Sequence, residues 1–257
     1  MASLASKVFG VTGGASGIGL ATCRMLAQLN AKAICIADRN TEIFDSIRTE
    51  LQSINNSTTV HMTKVDVASS SDVDAWIDGA VKQFGDINGA VNAAGVTQRP
   101  GVRTRPNILG ETNEMWDSVT GINLAGVFYC TRAQVRAMMD LPREETRSIV
   151  NVASLASLMH GGDCFTYGVS KVGVAYLTAS VAQDVLPHNI RVNAVSPGVT
   201  NTPMLSQSFG PDAAGRMDTK GFGLIQADDV AKAIVWLLSS DASQVAGVNL
   251  PVGPGAP

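Results

Sequence analysis

From residue 7 to residue 252, short apolar runs alternate with stretches of helical periodicity, and very little lies between them. The extended runs are 7–12 (KVFGVT), 32–38 (KAICIAD), 59–66, 87–95, 148–154, 190–198 and 247–252. Helical patterns cover 17–30, 42–54, about 72–85, 112–139, 165–186 and 228–240. Strands apolar at nearly every position must be buried on both faces, which calls for a parallel sheet with helices on either side. Right-handed crossovers then impose a doubly wound Rossmann arrangement, an α/β fold with a seven-stranded parallel sheet. No repeat and no linker interrupts the pattern, so residues 1–257 are expected to form one domain. Local signals refine the boundaries. Ser71 is expected to cap the helix near 72, with Asp74 three residues on, and Gly85 to end it. Pro142 and Pro187 bound the two long helices.

Bulk properties exclude several classes of function. The net charge of −3 offers no basic field for nucleic acid. The longest apolar runs are far too short to span a bilayer, and the N-terminus runs straight into a strand pattern without the core of a signal peptide. A cytoplasmic protein with no nucleic-acid or membrane partner is expected. Cys23, Cys35, Cys130 and Cys164 lack C-x-x-C spacing, and His61, His160 and His188 are scattered, so no metal site is expected. Cys23 and Cys35 read as small buried hydrophobes, whereas Cys164 is expected to be more accessible.

Open parallel sheets bind ligands beyond the carboxyl ends of their strands, so chemistry is sought there. The first strand ends in TGGASGIG, where Gly13, Gly17 and Gly19, with Ser16 and Ile18 between and beside them, open a helix. Glycine lets a pyrophosphate approach the backbone, and the helix N-terminus supplies donors and a favourable dipole. The second strand ends at Asp38, 19 residues past Gly19, where a carboxylate can accept from an adenosine ribose and repel a 2′-phosphate. NAD is therefore expected, with NADP the second choice because Arg39 follows at once. Asp66 and Val67 can meet an adenine, or Asp66 can simply cap a helix. Asn92, Ala93 and Gly95 leave room for a ribose, although Asn92 can instead brace neighbouring strands. Ser154 ends the fifth strand, and thirteen residues later come Tyr167 and Lys171, four apart and so on one helix face. Asn123 lies within an apolar helix, where its amide needs a partner. After the sixth strand, Pro197 and Gly198 force a turn, and Thr200 and Thr202 can bond a carboxamide and a phosphate.

In this order and spacing, TGGASGIG, NAAG, Asn123, Ser154, YGVSK and PGVTNT resemble the short-chain dehydrogenase/reductase family over essentially the whole chain. KVFGVTGGASGIG, TRAQVRAMMDLP, RSIVNVAS and RVNAVSPGVTNTPML are similar to fungal members from secondary-metabolite pathways. The resemblance implies Tyr167 as general base in alcohol oxidation and as acid in carbonyl reduction. It implies that Lys171 lowers the tyrosine pKa and holds the nicotinamide ribose, that Ser154 holds the substrate oxygen, and that Asn123 links Lys171 to solvent through a water. It also implies pairing of the long helices across subunits, in a homotetramer first and a dimer second. Two departures stand out. Ala93 replaces the family's usual second asparagine, and VNLPVGPGAP lacks the frequent aspartate–glycine–glycine ending.

The substrate pocket is expected between the loop 96–111, which carries Arg99, Arg103 and Arg105, and a lid at about 202–224. That lid carries Met204, Leu205, Phe209, Met217, Phe222 and Leu224 among glycines; a helix pair packed on the sheet is the alternative. Leu155, Met159, His160 and Phe165 lie near Ser154 and Tyr167 in sequence. A hydrophobic alcohol or ketone, terpenoid or alkaloid-like, is expected as substrate, oxidised with NAD. Three other readings stay open: an NADPH-dependent ketoreductase, a nucleotide-binding sensor without turnover, and a cyclisation catalyst without net redox change.

Overall fold

A computed structural model of the protein describes residues 4–98, 106–140, 147–161, 164–215 and 223–254. The seven-stranded sheet has the order β3-β2-β1-β4-β5-β6-β9, every pair parallel. Its strands are β1 (Val8–Thr12), β2 (Ala33–Asp38), β3 (Thr59–Lys64), β4 (Gly89–Asn92), β5 (Arg147–Val152), β6 (Ile190–Pro197) and β9 (Asn249–Val252). Chain order runs one way from β1 to β3 and the other way from β4 to β9, so the switch point lies between β1 and β4. A crevice opens there because the loops after these two strands diverge to opposite faces.

The alternation within each strand builds the two layers. Ile34 and Ile36 of β2 join Val11, Leu26, Val150 and Ile234 in one core. Ala33, Cys35 and Ala37 of the same strand join Ile77, Ile149 and Val192 in the other. The first layer is covered by α1 (Gly17–Gln28), α2 (Phe44–Ile54) and α8 (Ala227–Leu238). The second is covered by α3 (Ser70–Phe84), α5 (Gly126–Met139) and α6 (Phe165–Val185). Burial of the central strands on both faces explains why their sequences are mostly apolar, and the polar exceptions such as Asn92 and Asn151 bond one another. Burial also pushes the Cys35 and Cys130 thiols up to about 12, and the Cys23 thiol further, so these three behave as packing groups.

Three boundaries differ from expectation. Helix α3 is capped by Ser69, not Ser71: Ser69 Oγ accepts from Asp72 N at 3.3 Å and donates to Asp72 Oδ1 at 2.8 Å. Three consecutive serines offer three starts, and the reciprocal partner at the third helical position selects this one. Asp74 pairs instead with Arg136, at 3.2 Å. Gly85 ends the helix in the left-handed region, φ 81°, as expected. The pattern at 112–139 is two helices, α4 (Asn113–Thr120) and α5, joined by one π turn at Gly121–Ala125. The segment after β6 contains β7 (Thr200–Asn201), α7 (Pro203–Phe209) and β8 (Ile225–Gln226), with β7 and β8 paired in a second small sheet. Arg99, Arg103, Arg105, Pro142, Met217 and Phe222 lie outside the described residues.

Candidate active site

Two clefts meet at the switch point. One, of about 220 Å³, lies over the loop between β1 and α1. The other, of about 640 Å³, lies over the ends of β5 and β6. Ile18, Gly95, Val96, Thr202 and Met204 border both, so the two form one continuous channel.

The smaller cleft is built from main chain. Gly13 has φ 66°, and a Cβ there would stand 2.7 Å from Ala94 N. A Cβ on Gly19 would stand 2.2 Å from Gly13 O, so the first turn of α1 rests directly on the loop. Ser16 caps α1 in extended conformation without a side-chain capping bond, which leaves the amide donors of the first turn for an anion. Asp38 closes the far end. Its Oδ2 accepts from Ala15 N at 3.1 Å and its Oδ1 from Asn40 N at 3.0 Å, and Arg39 stands beside it on the cleft wall. Asp66 and Val67 line the same wall; Asp66 also turns its own loop, Oδ1 accepting from Ala68 N at 3.0 Å. A backbone cradle that tolerates no Cβ, with a carboxylate beyond it, fits a dinucleotide.

The larger cleft carries the reactive side chains. Ser154 follows β5, and its Oγ accepts from Ala156 N at 3.2 Å, starting a short 3₁₀ turn at Leu155–Ser157. The same hydroxyl neighbours the Tyr167 phenol closely enough to lower its pKa. Lys171 is buried, its Nζ donating to Val152 O at 2.8 Å and standing 5.7 Å from the centre of the Tyr167 ring. Burial lowers its pKa to about 8. Burial also pushes the Tyr167 phenol above its ordinary value; the Ser154 hydrogen bond pulls it back, and the neighbouring Cys164 adds to the rise. The net direction is upward, opposite to the depression expected from Lys171, because loss of water costs the phenolate more than these partners return.

Asn123 is fully buried in the π turn. Its Oδ1 accepts from Val96 N at 2.8 Å, and its Nδ2 donates to Val96 O at 2.9 Å and to Ser170 Oγ at 3.2 Å. The π turn adds one residue to the helix and swings the amide toward the strand end. A Cβ on Gly95 would stand 3.2 Å from Asn123 Oδ1 and 3.7 Å from Lys171 Nζ. Both side chains therefore border the space beside Gly95, which a larger residue would crowd.

Most residues singled out in the sequence come together here. Gly13, Ser16, Gly17, Ile18, Gly19, Asp38, Asp66, Val67, Ala93 and Gly95 line the smaller cleft. Ser154, Leu155, Tyr167, Lys171, Pro197, Gly198, Thr200, Thr202 and Met204 line the larger. Asn123, in the π turn, and Leu224 line neither wall, and three more stand apart. Asn92 is buried beneath the cleft, donating to Asn151 Oδ1 at 2.9 Å and exchanging bonds with Gln134; it braces strands and lines neither cleft. Phe165 is off the wall because it precedes Tyr167 by two helical residues, which turns it about 200° away. His160 is exposed, one residue past Met159, where the chain leaves the cleft. Cys164, three residues before Tyr167 and on its face of the helix, lines the wall instead, beside Phe209 and Pro254. Gln98, Glu111 and Thr166, which form a hydrogen-bonded group against Tyr167 N, escaped the sequence analysis. No motif or period marks them.

The family model for short chain dehydrogenase matches residues 7–212. Chanoclavine-I dehydrogenase of Arthroderma otae is 50% identical over 265 residues, with both chains covered in full. Those of Aspergillus fumigatus and Claviceps purpurea are 50% and 49% identical, again with full coverage of both chains. Among solved structures, levodione reductase superposes with a TM-score of 0.88 at 28% identity, covering 98% of this chain and 97% of its own.

Proposed function

The chain belongs to the short-chain dehydrogenase/reductase family and is an alcohol dehydrogenase/reductase using a nicotinamide cofactor; from that premise we propose that it oxidises a hydroxyl group of an alkaloid alcohol, such as chanoclavine-I, to a carbonyl, with NAD as acceptor. The observation that carries this reading is that Ser154, Tyr167 and Lys171 line the larger, apolar cleft, which shares Gly95 and Val96 with the cleft that fits a dinucleotide. A nicotinamide cofactor would be held by the loop from Gly13 to Gly19 and by Asp38, and would supply the hydride acceptor for the alcohol.

The residues of the chain do the rest. Ser154 Oγ holds the substrate oxygen, and Tyr167 removes its proton as general base. Protonated Lys171, 5.7 Å from the centre of the Tyr167 ring, would favour a phenolate there against the burial that raises the phenol's pKa. Asn123, beside the same Gly95 that Lys171 borders, leads the proton outward, and the backbone donors at the start of α1 would hold a pyrophosphate. Met204, Leu205 and Phe209 of α7 with Leu155 and Met159 present an apolar wall suited to a polycyclic alcohol. Asp38 favours NAD through its carboxylate. Arg39 beside it supports the second reading, an NADPH-dependent ketoreductase. The full assembly is a homotetramer.

The test is incubation of purified protein with chanoclavine-I and a panel of terpenoid and indole alcohols, with NAD and NADP in parallel. Expected are absorbance at the wavelength of reduced nicotinamide, a product lighter by two hydrogens, and faster initial rates with NAD. Tyr167→Phe abolishes both signals. Turnover surviving that substitution, or substrate conversion without reduced nicotinamide, overturns the proposal.

A further inference from the structure

The N-terminus of α6 is capped from elsewhere in the chain. Its own cap residue, Cys164, makes no side-chain capping bond. Phe165, Thr166 and Tyr167 are the first three helical residues, and the N–H of the third is the one a capping side chain ordinarily satisfies. That N–H, on Tyr167, donates to Gln98 Oε1 at 3.3 Å, from 69 residues away. Gln98 is 7% exposed, and its Nε2 donates to Glu111 Oε2 at 2.6 Å. Glu111 Oε1 accepts from the Thr166 hydroxyl, which closes a ring of four residues. The orientation of the Gln98 amide follows from its partners, since only its oxygen accepts from an N–H and only its nitrogen donates to a carboxylate. An anionic group also stands where the helix dipole favours one.

Both ends of this cap are fixed. Val96, two residues before Gln98, is held through its N–H and its carbonyl by Asn123. Glu111 immediately precedes Thr112, which caps α4 by accepting from Met115 N at 3.2 Å. We propose that Gln98 and Glu111 are positioning residues, which set where the Tyr167 hydroxyl stands relative to Ser154 by capping α6 from outside its own chain segment. The inference rests on the role of Tyr167 proposed above. A group carried on a helix end moves with that end, and displacement by about 1 Å costs on the order of 100-fold in rate.

The test exchanges the two side chains. Gln98→Glu keeps the acceptor for Tyr167 N but sets two carboxylates together; adding Glu111→Gln restores a donor between them and an acceptor for Thr166. The readouts are the titration of Tyr167 in the purified full chain, by ¹³Cζ-tyrosine NMR with Tyr167→Phe for assignment, and steady-state kinetics. Gln98→Glu is expected to raise the Tyr167 midpoint by about half a unit or more, because the phenol drifts from Ser154. It lowers kcat by about 10- to 100-fold and leaves KM for alcohol and NAD within about twofold. The double variant recovers both values. Gln98→Met, similar in size without either bond, reproduces the loss. An unchanged Tyr167 titration in Gln98→Met, or a folded double variant without recovery, overturns the proposal. Tyr167 titration needs no turnover, so it decides this proposal even where no tested alcohol is oxidised, an outcome that would count against the proposed reaction alone.

Discussion

Lys171 places an ammonium where water hardly reaches it, donating to Val152 O. Desolvation favours the neutral amine, so the folded protein binds this proton less tightly than the unfolded chain does, with a pKa near 8 against the ordinary 10.5. The sign of the linkage follows. Below about pH 8 the lysine is charged in both states, and its burial costs stability in full. Between 8 and 10.5 the unfolded chain holds the proton and the folded one does not, so that cost fades as pH rises. Lys171→Met removes it. At pH 7 the variant is expected to melt at or above the wild-type temperature, with the difference shrinking above pH 8, while alcohol oxidation falls by about 100-fold or more. Calorimetry from pH 6 to 10 beside initial rates checks both. A variant clearly less stable at pH 7 shows that the lost bond to Val152 O outweighs desolvation.

The elements divide the labour of the site. The loop between β1 and α1 is shaped by what it excludes, and Gly13 shows this most directly: its φ of 66° and the 2.7 Å from a would-be Cβ to Ala94 N forbid any side chain. Gly13→Ala is expected to weaken NADH binding by about tenfold or more and to cost on the order of 1–3 kcal/mol of stability. Fluorescence titration with NADH and a denaturant melt measure the two, and unchanged binding would show that the loop does not cradle the cofactor. Much of this was readable beforehand. Every main strand and the long helices announced themselves by pattern, because a sheet buried on both faces leaves few polar positions in its strands. Glycines, Asp38, Ser154, Tyr167 and Lys171 stood at strand ends or at helical spacing. What escaped detection has a common cause. Gln98, Glu111 and Thr166 act together only after a loop folds back across 69 residues, and local pattern carries no record of such a meeting. Phe165 and His160 were chosen for nearness in sequence, whereas helix geometry turns one away and the end of the 3₁₀ turn releases the other. Ser71 lost to Ser69 because the reciprocal partner, Asp72, lies nearer the start than a single pattern suggested.

At the scale of the molecule, one face remains apolar. Phe128 of α5 and Tyr176 of α6 are 42% and 77% exposed, and Val172 stands between the turns that carry Tyr176 and Val169, all open to solvent. Leu124, Phe128 and Leu177 line a groove of about 460 Å³ between the two helices. A surface of this kind is covered in the proposed homotetramer. Phe128→Glu with Tyr176→Glu is expected to give a smaller species by light scattering; an unchanged mass would place the subunit contact elsewhere. Among the described residues no helix is long and apolar enough to cross a membrane. The channel itself also behaves as one body, through a bond described above for its geometry alone. Asp38 not only stands at the end of the cleft proposed to take the ribose but holds Ala15 N, within the glycine loop. The proposed selectivity at one end and the loop shape at the other thus share a single carboxylate. Redesign of position 38 for a phosphorylated ribose would slacken the pyrophosphate cradle as well, so a change of cofactor in this scaffold has to begin with a second anchor for Ala15.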